Sequence, residues 1–135
     1  MKEITNQNKS IMQLTNLYFK NISFSREKLN IDDNLKIFFD HEIRKNDNDT
    51  DVVLSVLIND ENNALKLSVE LVGTFAFSNS ENVNKNLYDN LINKNAIAIL
   101  FPYLRSQVTL ITSQPNMTPI ILPPININAL LKNDD

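Results

Sequence analysis

Four alternating apolar segments, joined by short polar links, constrain the fold of this chain more than any other feature of its sequence. They cover residues 11–24, 35–44, 52–58 and 65–77. In the second segment apolar and charged residues alternate with the period of a half-buried β-strand. The links run about five to ten residues, which is too short for crossover helices. The sequence therefore predicts an antiparallel sheet in which consecutive strands are neighbours.

Apolar residues lie on both predicted faces of the first segment. Alternation places Met12, Leu14, Tyr18, Ile22 and Phe24 on one face and Ile11, Leu17 and Phe19 on the other. The second segment is polar on its outer face except for Phe38. A strand with two apolar faces must be covered on both of them. We expect the surplus of apolar surface to contact other subunits or ligands.

A long helix is predicted after the strands, where the apolar period changes from that of a strand to that of a helix. It is expected to begin with Ser80 as its N-cap, to be divided near Asn95, and to be kinked or broken at Pro102. One helical face carries Ile97, Leu100, Phe101, Leu104, Val108 and Ile111, and a second face adds Ile99, Tyr103 and Leu110. Such a helix must be covered on more than one side.

The last part of the chain is predicted to be extended and then helical. Residues 114–119 end the long helix, and the prolines at positions 123 and 124 keep residues 120–125 extended. Asn126 or Asn128 is expected to cap a short last helix. Strands followed by helices in a chain of 135 residues indicate one α+β domain that spans residues 1–135.

Charge and hydropathy exclude two classes of partner. Thirteen basic and sixteen acidic residues give a net charge of −3, without a basic cluster that could follow a phosphate backbone. No nucleic-acid partner is therefore predicted. No stretch approaches the roughly 18 to 20 apolar residues of a membrane span, and residues 1–20 lack the apolar core of a signal peptide. We expect a soluble cytoplasmic protein without membrane insertion.

Catalytic and metal-binding patterns are missing from the sequence. The chain has no cysteine, one histidine (His41) and one glycine (Gly73), which excludes thiolate zinc sites and glycine-rich phosphate loops. Residues 47–51 open like a calcium loop, but Val52 and Ile58 stand where that loop needs a glycine and a bidentate glutamate. Since no acid, base and nucleophile can be assembled, we predict neither an enzyme nor a cofactor nor a metal site.

Three segments carry a resemblance to a known family. Residues 99–105 read Ile-Leu-Phe-Pro-Tyr-Leu-Arg, and residues 122–130 read Leu-Pro-Pro-Ile-Asn-Ile-Asn-Ala-Leu. Residues 18–24, in the first predicted strand, read Tyr-Phe-Lys-Asn-Ile-Ser-Phe. In this order and at these separations, the motifs resemble those of the SecB family of bacterial protein-export chaperones, and the likeness extends over most of the chain.

The resemblance implies a four-stranded antiparallel sheet with a long helix and a short C-terminal helix, assembled as a homotetramer that is a dimer of dimers. It also implies an ATP-independent holdase that keeps unfolded preproteins soluble and passes them to the SecA motor of the translocase. The long helices would lie between the dimers, with an oligomer interface formed by Ile97, Leu100, Phe101, Leu104, Val108 and Ile111.

The resemblance also assigns two further surfaces, position by position. The groove for unfolded polypeptide would be lined by Leu35, Ile37, Phe39, Met117, Leu122 and Ile125. The SecA-facing positions would be Asn21, Ser25, Lys66 and Ser68. The family docks SecA through acidic side chains, and none of these four residues is acidic. The resemblance therefore implies client binding more directly than it implies coupling to SecA.

Two alternatives stay open from the sequence. A SecB-like chaperone could guard an aggregation-prone antitoxin or serve another pathway without SecA. A purely structural homo-oligomer, with every apolar face satisfied between subunits, would explain the apolar surplus without any client. Substitution of a groove residue separates these readings, because it should weaken client binding while the assembly survives.

Overall fold

The computed structural model describes residues 12–77, Asp89 and residues 91–132. Two of the sequence-based predictions lie outside these residues. They are the placement of Ile11 on the second face of the first strand and the assignment of Ser80 as the N-cap of the long helix.

Four strands form one sheet at the predicted places. They are β1 (Met12–Arg26), β2 (Leu35–Lys45), β3 (Asp49–Asp60) and β4 (Leu65–Phe77). Each neighbouring pair is antiparallel. The predicted antiparallel sheet is therefore confirmed.

The order of the strands differs from the sequential order that the short links predicted. The sheet runs β1-β4-β3-β2, so the first strand pairs with the last one instead of with the second. Residues 27–34 make this connection across the end of the sheet. Three strand spacings amount to about 15 Å, whereas eight extended residues reach roughly 26 Å. A link of this length therefore spans the sheet without a helix, and strands β2, β3 and β4 with β1 beside β4 form a Greek key.

Two irregularities in β1 change which of its residues face inward. The pairing with β4 shifts between Leu14 and Asn16 and again between Phe19 and Asn21. Each shift inserts one unpaired residue and reverses the alternation that follows it. Six apolar residues thereby share the inner face, namely Met12, Leu14, Leu17, Phe19, Ile22 and Phe24. The predicted two-faced pattern is wrong, because Tyr18 alone of the described apolar residues of β1 lies on the outer face.

A long helix packs on β3 and β4. A π-helical segment (Leu91–Ala96) leads directly into α1 (Ile97–Ile111), so the helix changes type close to Asn95, where a division was predicted. Pro102 lies inside α1 without ending it, so of the predicted kink or break the break does not occur. Pro102 is exposed, so water can bind the backbone carbonyl that its missing N–H leaves without a partner.

The short last helix, α2 (Ile127–Lys132), begins where the sequence predicted. The Asn126 side chain accepts a hydrogen bond of 3.1 Å from the backbone N–H of Ala129, and the Asn126 carbonyl accepts one of 3.0 Å from Leu130. This pair of bonds is the geometry of an N-cap. Asn126 is therefore the cap, and Asn128 is not.

The core lies between the inner face of the sheet and α1, and it corrects part of the predicted oligomer interface. Ile97, Leu100, Leu104 and Val108 are all fully buried within the single chain. Their side chains leave no surface for a second copy, so their assignment to an interface is wrong. The two remaining members of that set, Phe101 and Ile111, are half-buried against the same core.

Candidate functional site

An open groove runs along the inner side of the edge strand β2. It consists of two cavities, one of about 490 Å³ lined by Leu35, Ile37 and Met117 among others, and one of about 350 Å³ lined by Ile37, Phe39 and Ile125. Ile37 lines both cavities, so they adjoin each other along β2. All five side chains are half-buried. The structure thus brings together five of the six residues predicted for the groove.

The groove has two walls of different origin. One wall is β2 together with the link at residues 27–34, and the inward-facing residues of β2 alternate toward the groove because side chains alternate along a strand. The other wall is the segment between α1 and α2, residues 112–126. Prolines at positions 115, 119, 123 and 124 keep this second wall out of a helix. We call these the β2 wall and the loop wall.

Leu122, the sixth predicted groove residue, is a core residue. Its side chain is 0% exposed and lines neither cavity, whereas its neighbour Ile121 is 64% exposed. In an extended segment alternate side chains point to opposite sides. Leu122 therefore anchors the loop wall to the core, and its assignment to the groove surface is wrong.

The floor of the groove is joined to the long helix by an aromatic pair. The rings of Phe39 and Phe101 lie edge to face, with centroids 6.0 Å apart and an angle of 65° between the ring planes. Such pairs contribute about 0.5–1.5 kcal/mol beyond the burial of their area. Phe101, which was assigned to the oligomer interface, therefore supports the groove from beneath.

Hydrogen bonds attach Ile120 of the loop wall to Thr109 in the last turn of α1 and to Thr112, the residue that follows the helix. The backbone N–H of Ile120 donates to Thr112 Oγ1 at 2.8 Å, and Thr109 Oγ1 donates to the Ile120 carbonyl at 2.9 Å. Thr112 is fully buried. These bonds satisfy both polar backbone groups of Ile120 at the point where the wall turns back along the helix.

Several groove residues were missed by sequence reasoning. The larger cavity is also lined by Arg26, Leu29 and Ile31 from the β2 wall side, and the smaller one by Leu130 of α2. Arg26 carried a signal, because simple alternation already places it on the same face as Ile22 and Phe24, where a further apolar residue would be expected. Leu29 carried none, since the link at residues 27–34 shows no period.

The rim of the larger cavity is mixed in charge. Asp32 and Asp33 line it from the link, and Arg26 lines it from the end of β1. The Asp32 carboxylate has a hydrogen-bond partner within the link, because its Oδ1 accepts a bond of 3.1 Å from the backbone N–H of Asn34. The lining between these charges mixes apolar side chains with polar groups, so the cavity suits an extended segment that offers both apolar side chains and backbone hydrogen-bonding groups.

The outer face of the sheet gathers the four predicted SecA-facing residues. Ser25 pairs with Lys66, Ser68 lies one outward position further along β4, and Asn21 lies on the same face opposite Glu70. Asn21, Ser25 and Lys66 are exposed, and Ser68 is partly exposed. The four residues therefore form one surface.

The rest of the outer face is neither uniformly acidic nor uniformly polar. Phe38 and Leu57 pair across β2 and β3, and both contribute to a cavity of about 390 Å³ beside Ser68. Further along β2, Arg44 bonds Glu42 at 3.0 Å. That hydrogen bond and the positive charge of Arg44 lower the pKa of Glu42. The pair is exposed, so its effect on stability is small.

The exposed side of α1 carries an apolar stripe. Ile99, Tyr103 and Leu110 are spaced so that they lie on one helical face, and each of them is exposed. This stripe is opposite the buried face of α1. It is the second apolar face that the sequence indicated.

Among the helices of residues 91–132, none is both long and apolar enough to cross a bilayer. Within residues 12–77, Asp89 and residues 91–132, no group of three or more His, Cys, Asp or Glu side chains is arranged to hold a metal ion.

Comparison with known proteins gives one consistent result. The family described as Preprotein translocase subunit SecB matches residues 5–135. An uncharacterised protein of Methanocaldococcus jannaschii is 30% identical over 135 residues, which covers 93% of this chain and 85% of that protein. A Mycobacterium tuberculosis SecB-like chaperone, in complex with a ChAD peptide from the HigA1 antitoxin, has a similar structure. The TM-score is 0.71 at 13% identity, over 87% of this chain and 89% of the other.

Proposed function

The chain belongs to the SecB family, and we propose that it is an ATP-independent holdase that binds unfolded polypeptides in the groove between the β2 wall and the loop wall. The observation that carries this proposal is the groove itself, which is open and lined by five half-buried apolar side chains. When a ligand covers half-buried apolar side chains in an open cavity, the removal of their apolar surface from water stabilises the complex. They fit an extended apolar segment better than a compact small molecule.

The expected affinity of one groove is modest. A client that buries four or five apolar side chains gains about 1.5–3 kcal/mol for each, or roughly 6–15 kcal/mol in total. Ordering a disordered chain takes several kcal/mol back. The remainder corresponds to dissociation constants on the order of micromolar. The groove should also select weakly between clients, because burial of apolar area discriminates poorly between similar side chains.

High affinity then requires several grooves in one assembly. We propose a homotetramer in which the exposed stripe of Ile99, Tyr103 and Leu110 takes part in contacts between copies, because a stripe of this kind is unfavourable in water. A client that wraps around several grooves binds more tightly by effective concentration alone. The same assembly would leave the β2 and loop walls open.

Delivery of preproteins for Sec-dependent export in the cytoplasm is one candidate use of this binding. A dedicated client, such as an antitoxin, is the second candidate. Two observations favour it: Asn21, Ser25 and Ser68 are uncharged on the outer face, and the similar M. tuberculosis chaperone is in complex with an antitoxin peptide. The two candidates share one groove and differ in the partner that receives the client.

Two experiments test these proposals. Light scattering should show that the protein suppresses the aggregation of a chemically denatured client without ATP, and unchanged aggregation at equimolar tetramer would rule out the holdase. Mass spectrometry of chains that co-purify with the protein distinguishes its two uses. Exported precursors would support delivery to the translocase, whereas a single antitoxin would support a dedicated client.

A further inference from the structure

Arg26 connects the two walls of the groove. Its Nη1 donates a hydrogen bond of 2.8 Å to the carbonyl oxygen of Pro115. Its Nη2 donates to the carbonyl oxygens of Leu29, at 2.8 Å, and of Asn116, at 2.6 Å. Leu29 belongs to the β2 wall, while Pro115 and Asn116 belong to the loop wall. One side chain thus spans the end of the larger cavity.

The geometry points to Arg26 as a positioning residue that sets the width of the groove at this end, an inference that rests on the proposed role of the groove in client binding. A guanidinium is planar and its donors form a rigid fork. Simultaneous bonds to both walls therefore fix the distance between them.

The turn that Arg26 holds is one that needs support. Asn116 has a backbone φ of 57°, in the left-handed region that residues other than glycine adopt at a cost. Beyond it, Met117 lines the larger cavity together with Leu35. The far end of the turn is already fixed at Ile120 by bonds to Thr109 of α1 and to Thr112. Arg26 supplies the corresponding anchor at the near end, and Met117 lies between the two anchors.

The core gains little from an arginine at this position. Arg26 faces inward opposite Leu65, after a series of apolar residues on β1. Its Nε is buried and, among the described residues, has no hydrogen-bond partner. A buried donor without a partner destabilises the fold, whereas an apolar side chain would continue the core. The arginine is thus better explained by the two walls that it joins than by the stability of the sheet.

The test measures client release and loop mobility in three variants of the full chain. The client is carboxymethylated α-lactalbumin, which cannot fold. Arg26→Gln should raise the rate of client dissociation by about tenfold or more, because the charge-assisted bonds to the loop wall are lost. It should also accelerate amide exchange at Met117 and Thr118. Arg26→Lys should recover only part of the effect, since an ammonium cannot bridge both walls as a fork. Arg105→Gln, at an exposed position outside both cavities, should match the wild type.

A cross-link provides the readout that a purely structural role would not change. The chain has no cysteine, so Leu29→Cys with Asn116→Cys introduces a unique pair, one thiol in each wall. In the Arg26→Gln background, joining this pair with a short bis-maleimide should restore slow client release. If wild type binds the client and Arg26→Gln releases it at the same rate, or the cross-link restores nothing, the inference is overturned while the proposed function stands. If the wild type binds no client, the proposed function itself fails, and the inference fails with it.

Discussion

Phe39 and Phe101 join the floor of the groove to the helix that forms the core, with ring centroids 6.0 Å apart. Phe39 comes from the edge strand β2, and Phe101 comes from α1. The groove is therefore supported by the same helix that covers the centre of the sheet. Changes in the groove floor and changes in helix packing should be partly coupled, because residues in contact do not act independently.

Phe39→Ala is expected to weaken client binding about tenfold to a hundredfold, because it removes the burial of one large apolar side chain. Leu57→Ala is the control. Leu57 is also a large apolar residue, but it lies on the outer face, lines neither cavity of the groove and is 43% exposed. Fluorescence anisotropy with a labelled unfolded client measures both variants. Equal effects of the two substitutions would contradict the assignment of the groove to the inner face.

Leu122→Ala is expected to reduce the free energy of unfolding by about 2–5 kcal/mol, as for other fully buried leucines. The control is Ile121→Ala, since Ile121 is exposed beside it and its truncation should change stability by less than about 0.5 kcal/mol. Urea denaturation followed by circular dichroism measures both. A stable Leu122→Ala variant that has lost only client binding would return Leu122 to the groove surface.

Gly73→Ala is expected to destabilise the protein by about 1–3 kcal/mol through overpacking. A Cβ at this position would lie 2.5 Å from Leu100 Cδ2 and 3.2 Å from Leu14 Cδ1. Leu100 is fully buried in α1, so its side chain has little room to move away. The double variant Gly73→Ala with Leu100→Ala should lose less stability than the sum of the two single variants. Additive losses would show that helix and sheet adjust without conflict.

Leu110→Asp is expected to dissociate the proposed tetramer, because it places a charge in the exposed stripe on α1. Arg105→Ala serves as the control, since Arg105 is an exposed residue of the same helix outside the stripe. Native mass spectrometry reports the number of copies, and circular dichroism checks that the fold survives. An unchanged assembly in the folded Leu110→Asp variant would exclude the stripe as the contact between copies.

The strands could be predicted from the sequence because their apolar residues alternate, whereas the faces of β1 could not. The extra residues that follow Leu14 and Phe19 are defined by pairing with β4, and pairing leaves no local trace in the sequence. The order of the strands in the sheet could not be predicted for a related reason. A link of eight residues permits either a hairpin or a crossing of the sheet, and local sequence does not choose between them.

The assignment of apolar residues to core, groove and interface depended on tertiary packing. Both faces of α1 are apolar, so the sequence could not tell whether Leu100 or Tyr103 would pack on the chain's own sheet. In the same way, Ile121 and Leu122 are equally apolar neighbours in an extended segment, and only packing decides which one faces the core. The inward-facing residues of β2 could be predicted, since the charged residues between them mark the solvent side of that strand.

The pairing of Met12 with Phe77 has a consequence for how the chain is made. Translation produces β1 first, but its partner β4 leaves the ribosome last among the strands. Strands β2, β3 and β4 can join through local hairpins, whereas docking of β1 closes a long loop and is expected to be slow. During this interval the nascent protein exposes an extended segment with six inward-facing apolar residues. A folded copy of the protein would therefore encounter, in a nascent chain of the same sequence, an extended apolar segment of the kind that its groove is proposed to bind.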